Sequence, residues 1–158
     1  MKDISAVIKA DERRYDGILK KTAKDICESG VKAVFISGGS CAGKTTTTKK
    51  LCRCIEKYGR TCHIVSLDDF YRSYGESVYL PDGTRDVETV NSLRIDLVTY
   101  ALSAILENRT ASIPLFDFKT KERTDSHRAI SPREGDITVI EGLHALNPLI
   151  LSKGFLNA

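Results

Sequence analysis

The residues best suited to chemistry form one glycine-rich segment near the start of the chain. It holds the pattern G-x-x-x-x-G-K-[ST] and comprises Gly38, Gly39, Ser40, Cys41, Ala42, Gly43, Lys44, Thr45 and Thr46. Glycines let backbone N–H groups approach phosphate oxygens, and a helix that follows points its positive end at the same anion. We expect Lys44 to reach the β- and γ-phosphates of a nucleotide and the Thr45 hydroxyl to ligate Mg²⁺. The segment therefore predicts nucleotide binding.

Acidic side chains follow two further apolar segments. Asp68 and Asp69 come at the carboxyl end of the segment 61–67, where ligands bind in open α/β sheets. A carboxylate there can accept the proton of an attacking hydroxyl or hold a metal-bound water, and the alternative is a turn or helix-cap acid. Segment 136–141 ends in Glu141, which is the arrangement of a Walker B acid that steadies Mg²⁺. His144 follows, and a structural histidine is favoured there over a ligand contact.

The elements that must position these residues alternate between strand and helix. The spacing of apolar residues predicts helices over 3–28, 44–58 and 89–107, with Leu51, Ile55 and Tyr58 facing inward on the second. Strands are predicted over 32–37, 61–67 and 136–141, with an edge strand over 111–118 and a solvated hairpin in 119–134. The turn-rich stretch 73–88 is typical of a substrate loop. Together they predict an α/β fold with a parallel sheet flanked by helices.

Composition excludes several other classes of protein. The net charge is only +3, which does not favour nucleic acid as a partner. We expect no membrane segment, no secretory leader and a cytoplasmic location, because no long apolar run is present. The five cysteines lack metal-site spacing and are predicted to be free, reduced thiols.

Four ordered blocks give the chain a family resemblance. They are G-G-S-C-A-G-K-T-T, S-L-D-D-F-Y-R, I-P-L-F-D-F and V-I-E-G-L-H-A-L-N-P. They resemble the uridine kinase and phosphoribulokinase family of P-loop kinases over residues 31–148. The resemblance implies that ATP, with Mg²⁺, donates its γ-phosphate to the 5′-hydroxyl of a pyrimidine nucleoside. It implies a kinase domain over 31–158, with residues 1–30 as an additional amphipathic helix.

The resemblance also implies roles for individual residues. Asp68 is the catalytic carboxylate that engages the hydroxyl, Lys44 is the phosphate lysine, and Thr45 and Glu141 are the metal-associated positions. Asp68 is added to the metal-associated set because a carboxylate there can hold a metal-bound water. The substrate-binding residues are Tyr71, Asp86 and Phe116, to which Arg123 is added from the basic run that follows.

The chain departs from the family pattern at two points. Lys121 stands where uridine-cytidine kinases carry a base-reading histidine, and Phe116 replaces a tyrosine. The sequence also ends before the further core strands and the lid helix with its arginines. We therefore expect a fragment, a short version of the domain, or a homo-oligomer in which a second copy completes the sheet.

Two alternative functions stay open. One is an ATP-binding module with little turnover. The other is a kinase for a different small hydroxyl substrate such as a sugar phosphate, bound by the basic residues Lys119, Lys121, Arg123 and Arg128.

Overall fold

The computed structural model describes residues 4–151, apart from the side chain of Asp125. Its helices and strands in chain order are α1 (Ile4–Ser29), β1 (Ala33–Ser37), α2 (Lys44–Glu56), β2 (Cys62–Ser66), α3 (Ile95–Leu106), β3 (Ala111–Asp117), β4 (Glu122–Ile130), β5 (Ile137–Gly142) and α4 (Pro148–Leu151). Within these residues, no helix combines the length and apolar character that a membrane crossing requires. The seven residues 152–158, which belong to the predicted kinase domain, lie outside the described part.

The core of the fold is a three-stranded parallel sheet in the order β1-β5-β2. The strand that comes last in the sequence therefore lies in the middle, and all its residues are buried. Ile137 and Val139 pack with α1 and α2 on one face, whereas Ile140 packs with α3 on the other. The predicted α/β class, with a parallel sheet between helices, is confirmed.

Helix α2 connects the glycine-rich segment to this sheet. Leu51 and Ile55 are buried in the layer shared with α1, as predicted. The prediction for Tyr58 is wrong, because α2 ends at Glu56 and the tyrosine is 48% exposed. The turn that follows closes at Gly59, whose φ of 78° suits a residue without a Cβ.

Helix α1 lies against α2 through its C-terminal half. Leu19 and Ala23 are buried in the same apolar layer as α2. The Tyr15 hydroxyl lies 2.6 Å from Thr47 Oγ1 and links the two helices. Near the start of α1, by contrast, Ile4 is 71% exposed, so the apolar face of the helix is buried over only part of its length.

Helix α3 begins later than the apolar spacing predicts. Residues 89–94 instead form a short 3-10 turn and an extended segment, within which Leu93 bridges to Tyr71. The Arg94 amide donates to the Phe70 carbonyl at 2.9 Å, so the main chain here is hydrogen-bonded to the segment that follows β2. Tertiary pairing thus replaces the first turns of the predicted helix.

The segment after α3 forms an antiparallel hairpin of β3 and β4 that is separate from the parallel sheet. Ala111, Ile113 and Ile130 bury one face of it against α3. Pro114 lies in β3, where a two-stranded ribbon tolerates the missing N–H donor. The predicted strand over 111–118 is present as β3. The prediction of a hairpin within 119–134 is wrong, because that segment supplies a single strand, β4, which pairs with β3.

Two of the cysteines do not match the prediction. Cys52 on α2 and Cys62 on β2 form a disulfide, with their Cα atoms 5.4 Å apart. The prediction of five free thiols is therefore wrong for this pair, because α2 packs its inner face directly on the first residue of β2. Cys27, Cys41 and Cys54 are free.

Candidate active site

The glycine-rich segment forms a tight loop between β1 and α2. Gly43 has a φ of 80° immediately before the first residue of α2, and Cys41 also adopts a positive φ of 59°. Lys44 folds back over the loop, where its Nζ donates to the Gly39 carbonyl at 2.8 Å. A strand, a turn with left-handed residues and a helix N-terminus together form the arrangement that binds phosphate groups.

Two cavities meet at this loop. The smaller, of about 260 Å³, is lined by the predicted nucleotide-binding residues Ser40, Cys41, Gly43, Lys44, Thr45 and Thr46, together with Asp68 and Glu141. The larger, of about 710 Å³, extends from Gly39 and Ser40 towards aromatic side chains. Ser40, Lys44 and Asp68 line both cavities, so these three residues lie where the contents of one cavity would meet those of the other.

Glu141 is the most deeply buried acid of the site, with only 2% of the residue exposed. Its Oε1 accepts hydrogen bonds from Thr45 Oγ1 at 3.1 Å and from Ser66 Oγ at 3.0 Å. Its Oε2 is buried without a hydrogen-bond partner among the described residues. A buried carboxylate oxygen without a donor is costly unless a cation or a water satisfies it.

The donor set fits Mg²⁺. Thr45, Glu141 and Asp68 supply hard oxygen atoms on one cavity wall. Across residues 4–151, no cluster of three or more His, Cys, Asp or Glu side chains is arranged to hold a metal by itself. Mg²⁺ commonly uses only one or two carboxylates and completes its shell with waters and substrate phosphates, so the sparse set is compatible with this ion.

Asp68 lies in a short 3-10 helix, Leu67–Phe70, at the carboxyl end of β2. Burial raises the pKa of its carboxyl above 3.8, and the nearby charge of Glu141 raises it further. Electrostatic interaction with Lys44, and to a smaller extent with His144, opposes this effect and lowers the pKa of Asp68. A carboxylate with a raised pKa accepts a proton more readily, as a general base requires.

The far wall of the larger cavity is aromatic. Tyr71 and Phe116, both predicted to bind substrate, have ring centroids 5.8 Å apart. Phe118, which the sequence analysis did not single out, lies 5.0 Å from Phe116 and 6.3 Å from Tyr71. All three rings line the cavity and give it an apolar surface suited to a flat ring or a carbon skeleton.

Two predicted substrate residues do not line the cavity. Asp86 closes its own turn, with Oδ1 accepting from the amides of Glu88 and Thr89 at 3.1 Å each. Arg123 forms a 3.0 Å ion pair with Glu76. Both side chains hold segments that form the cavity wall.

Several residues of the site were missed by the sequence analysis. These are Arg85, Val87 and Glu88, which line the larger cavity beside Asp86. Lys121 and His144, by contrast, were considered in the sequence analysis, and Lys121 lines the cavity from the hairpin. His144 lines it as well, and its Nε2 is buried without a hydrogen-bond partner in the described part of the chain. The predicted strand 111–118 offered one usable signal, because alternation along a strand would place residues 116 and 118 on the same face. In the structure β3 ends at Asp117, so Phe118 lies in the turn that follows.

Known proteins with similar sequences are kinases. The chain is 28% identical over 116 residues to uridine kinase of Mycoplasma genitalium, covering 73% of this chain and 53% of that protein. It is 32% identical over 115 residues to uridine kinase of Borrelia duttonii, covering 72% and 52%. It is 27% identical over 132 residues to uridine-cytidine kinase 2-B of Danio rerio, covering 76% and 50%. The chain therefore spans about half the length of the curated relatives it matches.

Solved structures show the same fold. A structure described as a possible uridine kinase from Bacillus stearothermophilus superposes with a TM-score of 0.72 at 20% identity, covering 92% of this chain and 78% of that one. D-glycerate 3-kinase from Cryptococcus neoformans superposes with a TM-score of 0.60 at 19% identity, covering 84% and 52%. The model of the phosphoribulokinase / uridine kinase family matches residues 33–148, from the first residue of β1 to the first of α4. The chain belongs to the phosphoribulokinase and uridine kinase family.

Proposed function

We propose that the chain is a kinase that transfers the γ-phosphate of ATP to the 5′-hydroxyl of a pyrimidine nucleoside, uridine or cytidine. The observation that carries the proposal is that Lys44 and Asp68 line both the phosphate-loop cavity and the aromatic cavity. Transfer between a nucleotide in the first and an acceptor in the second would then occur between these two side chains. ATP and Mg²⁺ as cofactors and a cytoplasmic location are parts of this proposal.

In the proposed reaction the phosphate loop holds the donor. The loop amides and Lys44 neutralise the phosphates, and Thr45 and Glu141 would hold Mg²⁺. When bound, Mg²⁺ supplies charge neutralisation for the transferring group. The chain's contribution is mainly to position the reactants and to stabilise charge.

Asp68 acts on the acceptor. Its carboxylate takes the proton of the acceptor hydroxyl while that oxygen forms a bond to the γ-phosphorus and the bond to the ADP oxygen breaks. The raised pKa of Asp68 supports this role, because burial makes its charged form the better proton acceptor. Tyr71 and Phe116 offer aromatic faces to the base. Asp86 and Arg123, which do not line the cavity, are proposed to support the substrate indirectly, through the turn and the ion pair that they form.

The domain division is also a proposal. We propose residues 31–158 as the kinase domain and residues 1–30 as an additional amphipathic segment, whose described part is α1 (Ile4–Ser29). The packing of Leu19 and Ala23 on the α2 layer supports α1 as a cover for that layer. A homo-oligomer stays a prediction.

The test is acceptor-dependent ADP release by the purified chain with uridine and with cytidine. We expect Asp68→Asn to lower this rate by at least about 100-fold, since a positioned general base contributes roughly 10² to 10⁴. Asp69→Asn is the matched control. Asp69 interacts with the backbone of Phe116 and with Arg128, and more weakly with the charges of Asp68 and Glu141. It lines neither cavity, so its loss should change the rate far less.

Absence of nucleoside-dependent ADP release, with ATP still bound, would contradict the proposal and favour an ATP-binding module. A second acceptor class has one observation in its favour, since Arg85 and Lys121 place two cations in the aromatic cavity. If the acceptor is a sugar phosphate, Lys121→Asn should raise its KM. The same change should hardly affect the KM of a neutral nucleoside, and Lys119→Asn, outside the cavity, should affect neither.

A further inference from the structure

We propose that Ser66 is a positioning residue for the metal side of the site, which holds the Glu141 carboxylate so that Glu141 and Thr45 can share one cation. This inference rests on the proposed binding of ATP with Mg²⁺. Ser66 lines neither cavity, so it would act through Glu141 and not by touching the nucleotide.

The parallel sheet brings Ser66 to Glu141. The two residues are register partners between β2 and β5, so their side chains leave the sheet on the same face. On the opposite side of β5, the register partner of Glu141 is Ile36, which has no hydrogen-bond donor in its side chain. Of the two strand neighbours of Glu141, therefore, only Ser66 can bond to its carboxylate through a side chain.

The hydrogen bonds to Glu141 are asymmetric. Ser66 and Thr45 both donate to Oε1, at 3.0 and 3.1 Å, whereas Oε2 has no partner in residues 4–151. Rotation of the carboxylate would break both bonds at once inside a buried site, so one orientation is held. The lone pairs of Oε2 are thereby left for a cation or its water shell.

Thr45 cannot easily hold this orientation alone. Its hydroxyl has a single hydrogen, which it gives to Glu141, while its oxygen lone pairs would ligate the metal. Ser66 has no such second duty, because it lies outside both cavities. Removing its hydroxyl leaves Glu141 with one donor that is itself drawn towards the ion.

The experiment measures ATP affinity by calorimetry in the presence of Mg²⁺ and in the presence of EDTA. The ratio of the two affinities in the wild-type chain gives the enhancement due to the metal. We expect Ser66→Ala to leave the affinity in EDTA unchanged and to lower the enhancement about tenfold, the effect of one hydrogen bond to a charged group. Ser66→Thr should restore it, since the hydroxyl is kept.

Two further variants complete the design. Ser66→Cys keeps the approximate size of the side chain but has a weaker hydrogen-bond donor, so we expect an enhancement between those of wild type and Ser66→Ala. This variant tests the inference if Ser66→Ala does not fold. Ser131→Ala removes a hydroxyl whose side-chain partner is Thr110 Oγ1, at 2.9 Å, and should keep the full enhancement.

An unchanged enhancement in Ser66→Ala would overturn this inference but leave the proposed function intact. So would an equal loss of affinity with and without Mg²⁺, because that pattern indicates a general structural defect. If the wild-type chain binds no ATP, the proposed function fails and this inference falls with it. If it binds ATP with no enhancement by Mg²⁺, the metal part of the proposal and this inference are both overturned.

Discussion

Gly142, the last residue of β5, offers a sharp perturbation of the site. A Cβ added there would lie 2.7 Å from the Cβ of Leu67 and 3.2 Å from its Cγ and Cδ1. Leu67 is 1% exposed and immediately precedes Asp68. Because the closest atom is a Cβ, a change of side-chain rotamer cannot relieve the contact, and the backbone at Leu67 must move.

The size of the effect follows from that distance. Carbon atoms pack at about 3.5 to 4.0 Å, so Gly142→Ala must displace the 3-10 helix by about 1 Å. Overpacking of a buried site costs about 1–3 kcal/mol of unfolding free energy. The same displacement carries Asp68 with it, and a shift of about 1 Å can lower a rate about 100-fold. ATP binding in EDTA should persist, because the phosphate loop at residues 38–46 is a separate segment, whereas Glu141 and Ser66 are chain neighbours of the displaced residues.

The assay combines urea unfolding, ATP binding and nucleoside-dependent ADP release. Gly17→Ala is the matched control, since a Cβ there meets nothing within 4 Å and the residue lies inside α1. That change should stabilise the chain by up to about 1 kcal/mol through helix propensity. Wild-type stability together with wild-type turnover in Gly142→Ala would refute the packing argument.

Two further predictions concern regions away from the cavity. The Cys52–Cys62 disulfide leaves three free thiols, so a thiol titration of unfolded, unreduced protein should count three. Since the two residues are ten apart, its reduction should lower the unfolding free energy by about 2.7 kcal/mol, and a count of five would contradict the pairing. The ion pair with Arg94 lowers the pKa of Asp96 from 3.8 to about 2. The carboxylate therefore stabilises the fold above pH 3.8 and loses its effect as the pH falls through about 2. Because its side chain is 57% exposed, Asp96→Asn should cost no more than about 1 kcal/mol at neutral pH. The difference in urea midpoint between Asp96→Asn and the wild type should become smaller as the pH falls. A difference that does not change with pH would contradict the stabilising role of the ion pair.

The donor side of the site could be anticipated because its signals are local. The phosphate loop is one continuous segment, and Asp68 and Glu141 each end a short apolar strand. The carboxyl ends of parallel strands meet at one edge of a sheet, so the convergence of these residues follows from the fold class. The structure brings them together around one cavity.

The other features of the site depend on how segments far apart in the sequence pair with one another. The bond from Ser66 to Glu141 joins residues 75 apart and requires knowing that β5 lies beside β2. The start of α3 was misplaced because the main chain at Leu93 and Arg94 pairs with the segment after β2. Whether Asp86 or its neighbour Glu88 faces the cavity is decided by the hydrogen bonds of one turn, which composition does not reveal.

The central position of β5 has a consequence for how the chain acquires its structure. Strands β1 and β2 do not pair with each other, and each lacks its partner until β5, which follows both in the sequence, has been synthesised. The hydrogen bond from Thr45 to Glu141 closes a span of 96 residues. Such non-local closure slows folding and leaves strand edges exposed in nascent chains. We therefore expect the phosphate loop to stay unformed during translation until residues 137–142 have emerged, and chaperones to bind the nascent chain most strongly before that point.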